Sequence, residues 1–147
     1  MKHKILFVCI HNSARSQMAE AFLKKFGGGH FDAVSAGLEA GKLNPNVVEV
    51  MQEAGIDISH NQTKSVFDLF TKGERYDAVI TVCDAASAER CPVFPGKVKR
   101  LVWSFADPSS FAGTHEDVLG RTRKVRDAIK DKVLQLVSEA QQLNFWM

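Results

Sequence analysis

The chain has 147 residues, 45% of them hydrophobic and 24% charged, and a formal net charge of +2. This is the length of a single domain spanning residues 1–147, able to bury roughly 68–70% of its unfolded surface without staples. The small charge and scattered basic residues exclude an electrostatic case for nucleic acid or a membrane surface.

No apolar run approaches the length of a membrane span. Met1-Lys2-His3-Lys4 leads directly into a short strand, without a secretory cleavage pattern. The expected compartment is the cytoplasm, where three cysteines do not form a static disulfide framework. Any disulfide there is expected to be transient and catalytic.

Strands and helices alternate along the chain. Lys4–Cys9 reads as a buried strand, and Ser16–Phe26 as a helix with Met18, Ala19, Phe22 and Phe26 on one face. Gly27-Gly28-Gly29 ends it. Phe31–Ser35 is a second strand, closed by Ala36-Gly37. Asn44-Pro45 supplies an N-cap and a first-turn proline for a helix to about Ala54, stopped by Gly55.

Ile56–Thr63 is polar and irregular, and Ser65–Phe70 is a short helix. Tyr76–Val82 is a strongly apolar third strand that ends at Cys83. A brief helical turn at Ala85–Arg90 stops at Pro92. Val98–Trp103 is the fourth strand. A long helix runs from Asp117 to about Leu143, with Val118, Val125, Ile129, Val133, Leu136 and Val137 as its apolar stripe.

Alternating strands and helices predict an α/β fold, a three-layer α/β/α sandwich with a four-stranded parallel sheet. Ligands of such sheets bind beyond the carboxyl ends of the strands. Cys9, Cys83 and Asp107 all fall at that edge.

The segment Cys9-Ile10-His11-Asn12-Ser13-Ala14-Arg15-Ser16 joins the first strand to the first helix. Backbone N–H groups in such a loop, with the helix N-terminus, attract an anion. Arg15 supplies a planar fork for a tetrahedral oxyanion. The same field favours the reactive thiolate of Cys9, and Ser16 can donate to it. Asn12 suits a left-handed turn. His11 receives no role beyond a solvent-facing loop residue.

Several of these residues have ordinary alternatives. Cys9 can be a buried strand-end cysteine, Arg15 a surface helix residue, and Asp107-Pro108 a plain turn. As a functional group, Asp107 would be a general acid for a leaving oxygen. Cys83 is as readily a core residue as a functional one. Cys91, beyond Asp84–Arg90 and before Pro92, sits in what reads as a surface loop without a packing role. The spacing of the two does not match a zinc site, and bridging their sulfurs would require the intervening turn to unwind.

Taken together these residues resemble thioredoxin-coupled arsenate reductases built on the low-molecular-weight protein tyrosine phosphatase fold. The similarity spans nearly the whole chain. It includes Val8-Cys9 through Ser16-Gln17-Met18-Ala19-Glu20-Ala21, Ser35-Ala36-Gly37, Leu43-Asn44-Pro45 and Ala54-Gly55-Ile56-Asp57-Ile58-Ser59. Thr81-Val82-Cys83, Cys91-Pro92 and Asp107-Pro108 extend it.

The resemblance implies that Cys9 attacks arsenate, Arg15 clamps it and Asp107 protonates the departing oxygen. It implies that Cys83 and then Cys91 resolve the adduct into a Cys83–Cys91 disulfide, which thioredoxin or a similar reductant reopens. Phosphate and sulfate would bind the same loop as arsenate. No tightly bound cofactor or metal is implied, and a monomer is the simplest state.

Two departures stand out. His11 replaces a glycine common in the family. Lys64 falls where some members carry an aspartate that helps bind potassium, so the expectation is that its ammonium replaces the cation and pairs with Glu20.

Two other functions fit parts of the pattern. A low-molecular-weight tyrosine phosphatase would share Cys9, Arg15 and Asp107, but Ser109-Ser110 stands where such phosphatases place a tyrosine. A non-catalytic oxyanion-binding or redox-sensing module would bind without turnover. Phe145-Trp146-Met147 could serve a partner, although packing on the domain is the expected fate of this tail.

Overall fold

The structure is a computed structural model that describes residues 2–83 and 85–146. Asp84, and Met147 at the end of the apolar tail, therefore lie outside the described residues.

Among the described residues, four strands form one parallel sheet: β1 (His3–Cys9), β2 (Phe31–Gly37), β3 (Ala78–Thr81) and β4 (Lys99–Val102). Their order is β2-β1-β3-β4, so the direction of winding reverses between β1 and β3. Parallel strands end at the same edge, and this reversal opens a crevice there. Cys9 closes β1, and Cys83 follows β3 by two residues. The predicted α/β fold is the one observed.

The strands of β1 and β3 are apolar on both faces because helices or loops cover both sides. Ile5, Phe7 and Cys9 face a core formed with α1 (Arg15–Phe26), α2 (Pro45–Glu53) and α5 (His115–Glu139). Leu6 and Val8 face the opposite layer, with Val66 of α3 (Val66–Thr71), Tyr76 and Phe94. That second layer also includes Val79 and, packed against it, Cys91 from the loop that follows the short α4 (Ala85–Ala88).

Local chemistry sets most of the helix ends. Asn44 caps α2 by accepting from the N–H groups of Asn46 and Val47, and Ser65 caps α3 through Phe67 N–H. Gly55, at φ +82°, takes the left-handed turn after α2. Helix α5 begins two residues before the predicted Asp117. Thr114 is its N-cap and Asp117 its third helical residue, and the two form a reciprocal capping box.

Helix α5 also stops short of the predicted Leu143. The chain folds back after Ala140, and Trp146 Nε1 donates to Ala140 O at 2.9 Å. The ring of Trp146 stacks on His3 with centroids 4.0 Å apart, so the described part of the tail packs on its own domain as expected. On the buried stripe, Leu119 and Thr122 are fully enclosed while Val118 and Val137 are only partly so, a shift from the predicted set.

β3 and β4 are shorter than predicted, but Asp77 N–H, Val82 N–H and Trp103 N–H still bond to the neighbouring strands. The difference lies at frayed ends, where boundaries depend on single hydrogen bonds.

Candidate active site

The loop between β1 and α1 is buried as well as polar. Cys9 is 2% exposed, Asn12 0%, Ala14 2%, Arg15 6% and Ser16 0%. Ile10 and Ser13 are half-buried, and His11 is exposed at the rim. Backbone N–H groups of Leu38, Glu39 and Gly41 bind the carbonyls of Cys9, Ile10 and His11, and Asn44 N–H binds Ser13 O. These bonds tie the loop's carbonyls to the following β2–α2 segment, and Asn12 N–H points the other way, at the Cys9 sulfur.

Two polar groups converge on the Cys9 sulfur. Ser16 Oγ lies 2.9 Å from Sγ, and Asn12 N–H donates to Sγ at 3.2 Å. Asn12 holds φ +55°, a left-handed conformation that asparagine adopts more readily than other non-glycine residues. Bonds of its side chain help to hold it there. Nδ2 donates to Ser16 Oγ at 2.8 Å and Ser35 Oγ at 3.0 Å, and Oδ1 accepts from Lys64 N–H at 2.9 Å.

Helix α1 starts beneath this sulfur without a side-chain cap, at Ala14, and has no acidic residue in its first turn. Its first N–H groups and positive dipole end therefore face the loop uncompensated. Arg15 adds a full charge at the same place. Its Nη1 donates to Phe105 O at 3.1 Å, and its Nη2 lies 3.7 Å from Asp107 Oδ2. Its Nε is buried with no partner. Leaving a buried donor unpaired costs about 1–3 kcal/mol. A tetrahedral oxyanion over Cys9 would satisfy both Nε and the helix end.

Asp107 stands at the rim, its side chain 31% exposed. Ser109 N–H donates to its Oδ1 at 3.0 Å, and Pro108 begins a 3-10 turn there. Ser109 Oγ in turn accepts from Asn44 Nδ2 at 3.1 Å, linking this turn to the N-terminus of α2.

All three cysteines are unbridged. Cys83 is 2% exposed and belongs to the same buried cluster as Cys9 and Ala14. Cys91 packs against the cluster on the other face of the sheet, beside a cavity of about 330 Å³ that Thr81 and Arg100 also line. It therefore has the packing role that the sequence did not suggest. Burial pushes its thiol up to about 11, with Cys83 adding to the rise and the Arg100 guanidinium opposing it.

One expectation changes. Glu20 does not pair with Lys64. Its carboxylate lies 3.4 Å from Lys24 Nζ, one helical turn away, while Lys64 reaches the loop through its backbone N–H. His11 faces solvent as expected, with its Nε2 3.7 Å from Glu39 Oε2 at the rim.

Sequence reasoning missed Gln17 and the carbonyl of Phe105. Gln17 is completely buried although it is polar, in a helix enclosed on every side from Arg15 to Leu23. A long amide next to the loop serine was the only signal, and a partner cannot be named from that.

The family described as low molecular weight phosphotyrosine protein phosphatase matches residues 4–144. The chain belongs to that family. Within it, an arsenate reductase of Bacillus licheniformis is 46% identical over 132 residues, covering 90% of this chain and 93% of the relative. A solved arsenate reductase in its oxidized state superimposes with a TM-score of 0.79 at 32% identity, over 95% of this chain and 98% of the other. A thioredoxin-dependent arsenate reductase of Corynebacterium glutamicum gives a TM-score of 0.69 at 28% identity, over 95% of this chain and 62% of that one. The family thus includes relatives named for the reductase chemistry as well as for the phosphatase chemistry.

Proposed function

We propose that this chain reduces arsenate to arsenite with electrons from its own cysteines, and that thioredoxin restores them. The observation that carries the reading is Cys83, just beyond β3 and in the same buried cluster as Cys9. A hydrolytic phosphatase step needs no such second sulfur.

In this reading the Cys9 thiolate attacks arsenic, held by Arg15 and the N–H groups of the loop. Asp107 protonates the departing oxygen, which leaves as water. Cys83 then attacks the Cys9 sulfur. The sulfur–arsenic bond breaks, its electron pair goes to arsenic, and arsenite leaves behind a Cys9–Cys83 disulfide. Cys91 attacks Cys83 and frees Cys9. Thioredoxin reduces the Cys83–Cys91 disulfide by the same exchange chemistry.

Oxyanions of the same shape and charge, phosphate and sulfate, would occupy the loop as competitors. A single domain acting as a monomer in a reducing cytoplasm is sufficient for the cycle. Among the described residues no helix is long and apolar enough to cross a membrane. Potassium is left out of the proposal because Lys64 stands at the position of the cation-binding aspartate, although its ammonium does not pair with Glu20.

The phosphatase reading shares the first attack, and slow hydrolysis of aryl phosphates is expected as a side activity. The deciding assay couples arsenate to NADPH oxidation through thioredoxin and thioredoxin reductase. Cys9→Ser, Cys83→Ser and Cys91→Ser should each abolish multiple turnover. Full activity in either of the last two would remove the relay as written, and aryl phosphate hydrolysis without arsenate-dependent NADPH oxidation in the wild type would leave the phosphatase ahead. Binding of arsenate by the wild type without NADPH consumption would leave only an oxyanion-binding module.

A further inference from the structure

The hydrogen bonds around Asn12 have a direction, and backbone groups of fixed polarity set it. Lys64 N–H can only donate, so the Asn12 atom 2.9 Å from it is Oδ1. Asn12 Nδ2 must then point at Ser16 and Ser35. Ser16 Oγ thus receives a hydrogen from Asn12, and toward a Cys9 thiolate, which can only accept, its own hydrogen points at the sulfur 2.9 Å away.

Gln17 is oriented in the same way. Its Nε2 lies 3.1 Å from Asn12 O and 3.1 Å from Gln62 O, two carbonyls that can only accept. The same nitrogen is 3.2 Å from Asn12 Oδ1. The other end, Oε1, accepts from Asn61 Nδ2 at 3.1 Å. Gln17 is 0% exposed and Asn61 lies at the surface. A directed chain therefore runs from Asn61 through Gln17, Asn12 and Ser16 to the sulfur.

We propose that Gln17 is a positioning residue for the nucleophile: its carboxamide holds Asn12 left-handed and in one amide orientation, so that Asn12 N–H and Ser16 O–H both point at Cys9. The proposal rests on Cys9 being the nucleophile. A Gln17 without its donor leaves the Asn12 carbonyl without that partner in a buried site, and the Gln62 carbonyl without it in a half-buried one. Asn12 can then relax from its left-handed conformation, and the sulfur loses an N–H donor and the alignment of Ser16. Donors to a charged sulfur are worth more than neutral ones, so the effect falls on the thiolate.

The test follows iodoacetamide labelling of Cys9, read by peptide mass spectrometry, from pH 5 to 10. Gln17→Met keeps the length without the donors, and Gln17→Glu sets an oxygen against the two carbonyls. Each should slow Cys9 labelling at pH 7 by about tenfold and restore it at higher pH. A milder variant, Asn61→Asp at the exposed end, faces Oε1 with a second acceptor and should slow labelling by about two- to threefold.

A merely structural role would lower the melting temperature and leave the shape of the pH profile unchanged. That result in a folded Gln17 variant would overturn the proposal. Should both Gln17 variants fail to fold, an unchanged profile in Asn61→Asp overturns it equally. The labelling needs neither arsenate nor reductant. A wild type that labels normally but does not reduce arsenate would count against the function, and wild-type profiles in all variants against Gln17.

Discussion

Arg15 is placed where a cation should not be, in the first turn of an uncapped helix. It is also almost completely buried, with one nitrogen unpaired. An anion in the loop removes both conflicts, which is why the guanidinium matters more than its charge alone. Lysine carries the same charge without Nε or the planar fork. Arg15→Lys should therefore leave the fold intact and weaken phosphate binding by about 10- to 100-fold, measured by titration calorimetry. Equal affinity in the variant would mean that the backbone N–H groups and the helix end do the holding.

At the level of elements, the loop keeps its shape because the end of β2 lies directly against it. Gly37 pairs in register with Cys9, and its N–H donates to Lys64 O at 2.8 Å. A Cβ on Gly37 would lie 2.5 Å from Asn12 N, 2.6 Å from Glu39 O and 2.7 Å from the carbonyl carbon of His11. All three are backbone atoms, so no side chain can swing aside. Gly37→Ala should cost about 1–3 kcal/mol of stability and weaken phosphate binding as well, because the displaced atoms belong to the loop. Denaturant unfolding and calorimetry on the same sample check both. A loss of stability with unchanged phosphate affinity would show that the loop yields elsewhere.

The whole molecule separates the two later cysteines between its two cores. Cys83 lies with Cys9, while Cys91 lies with Leu6, Val8 and Phe94 across the sheet. Burial that raises the Cys91 thiol lowers its thiolate fraction and slows its attack. In the proposed relay, Cys91 gains reactivity as the stretch from Ala85 to Cys91 loosens. The burial has a consequence for stability.

The Cys91 thiol is raised from 9.0 in the folded chain, so the unfolded chain ionises first. The stability that this burial contributes is fully present below about pH 9 and is lost as the pH rises toward about 11. Denaturant unfolding across that window should show a steeper decline in the wild type than in Cys91→Ala. Tyr76, raised to about 12 by burial, then by the nearby Glu74 charge, declines in both and cancels in the comparison. Identical slopes would mean that Cys91 meets solvent in the folded state.

The order of strands and helices, the parallel sheet and the position of the oxyanion loop were all legible in the chain. Each depends on local periodicity or on a residue with a single strong preference, such as Asn44 before Pro45. Which side chains meet was not legible, because contacts between distant segments leave no periodic trace. The pairing of Glu20 with Lys24 rather than Lys64, the packing of Cys91 and the bonds of Gln17 are of this kind. A reactive sulfur could be chosen from its neighbours in sequence. How the groups that face it are held was decided by folding, since Asn12, the buried asparagine between them, is fixed by Lys64 N–H and by its bond to Ser35 Oγ.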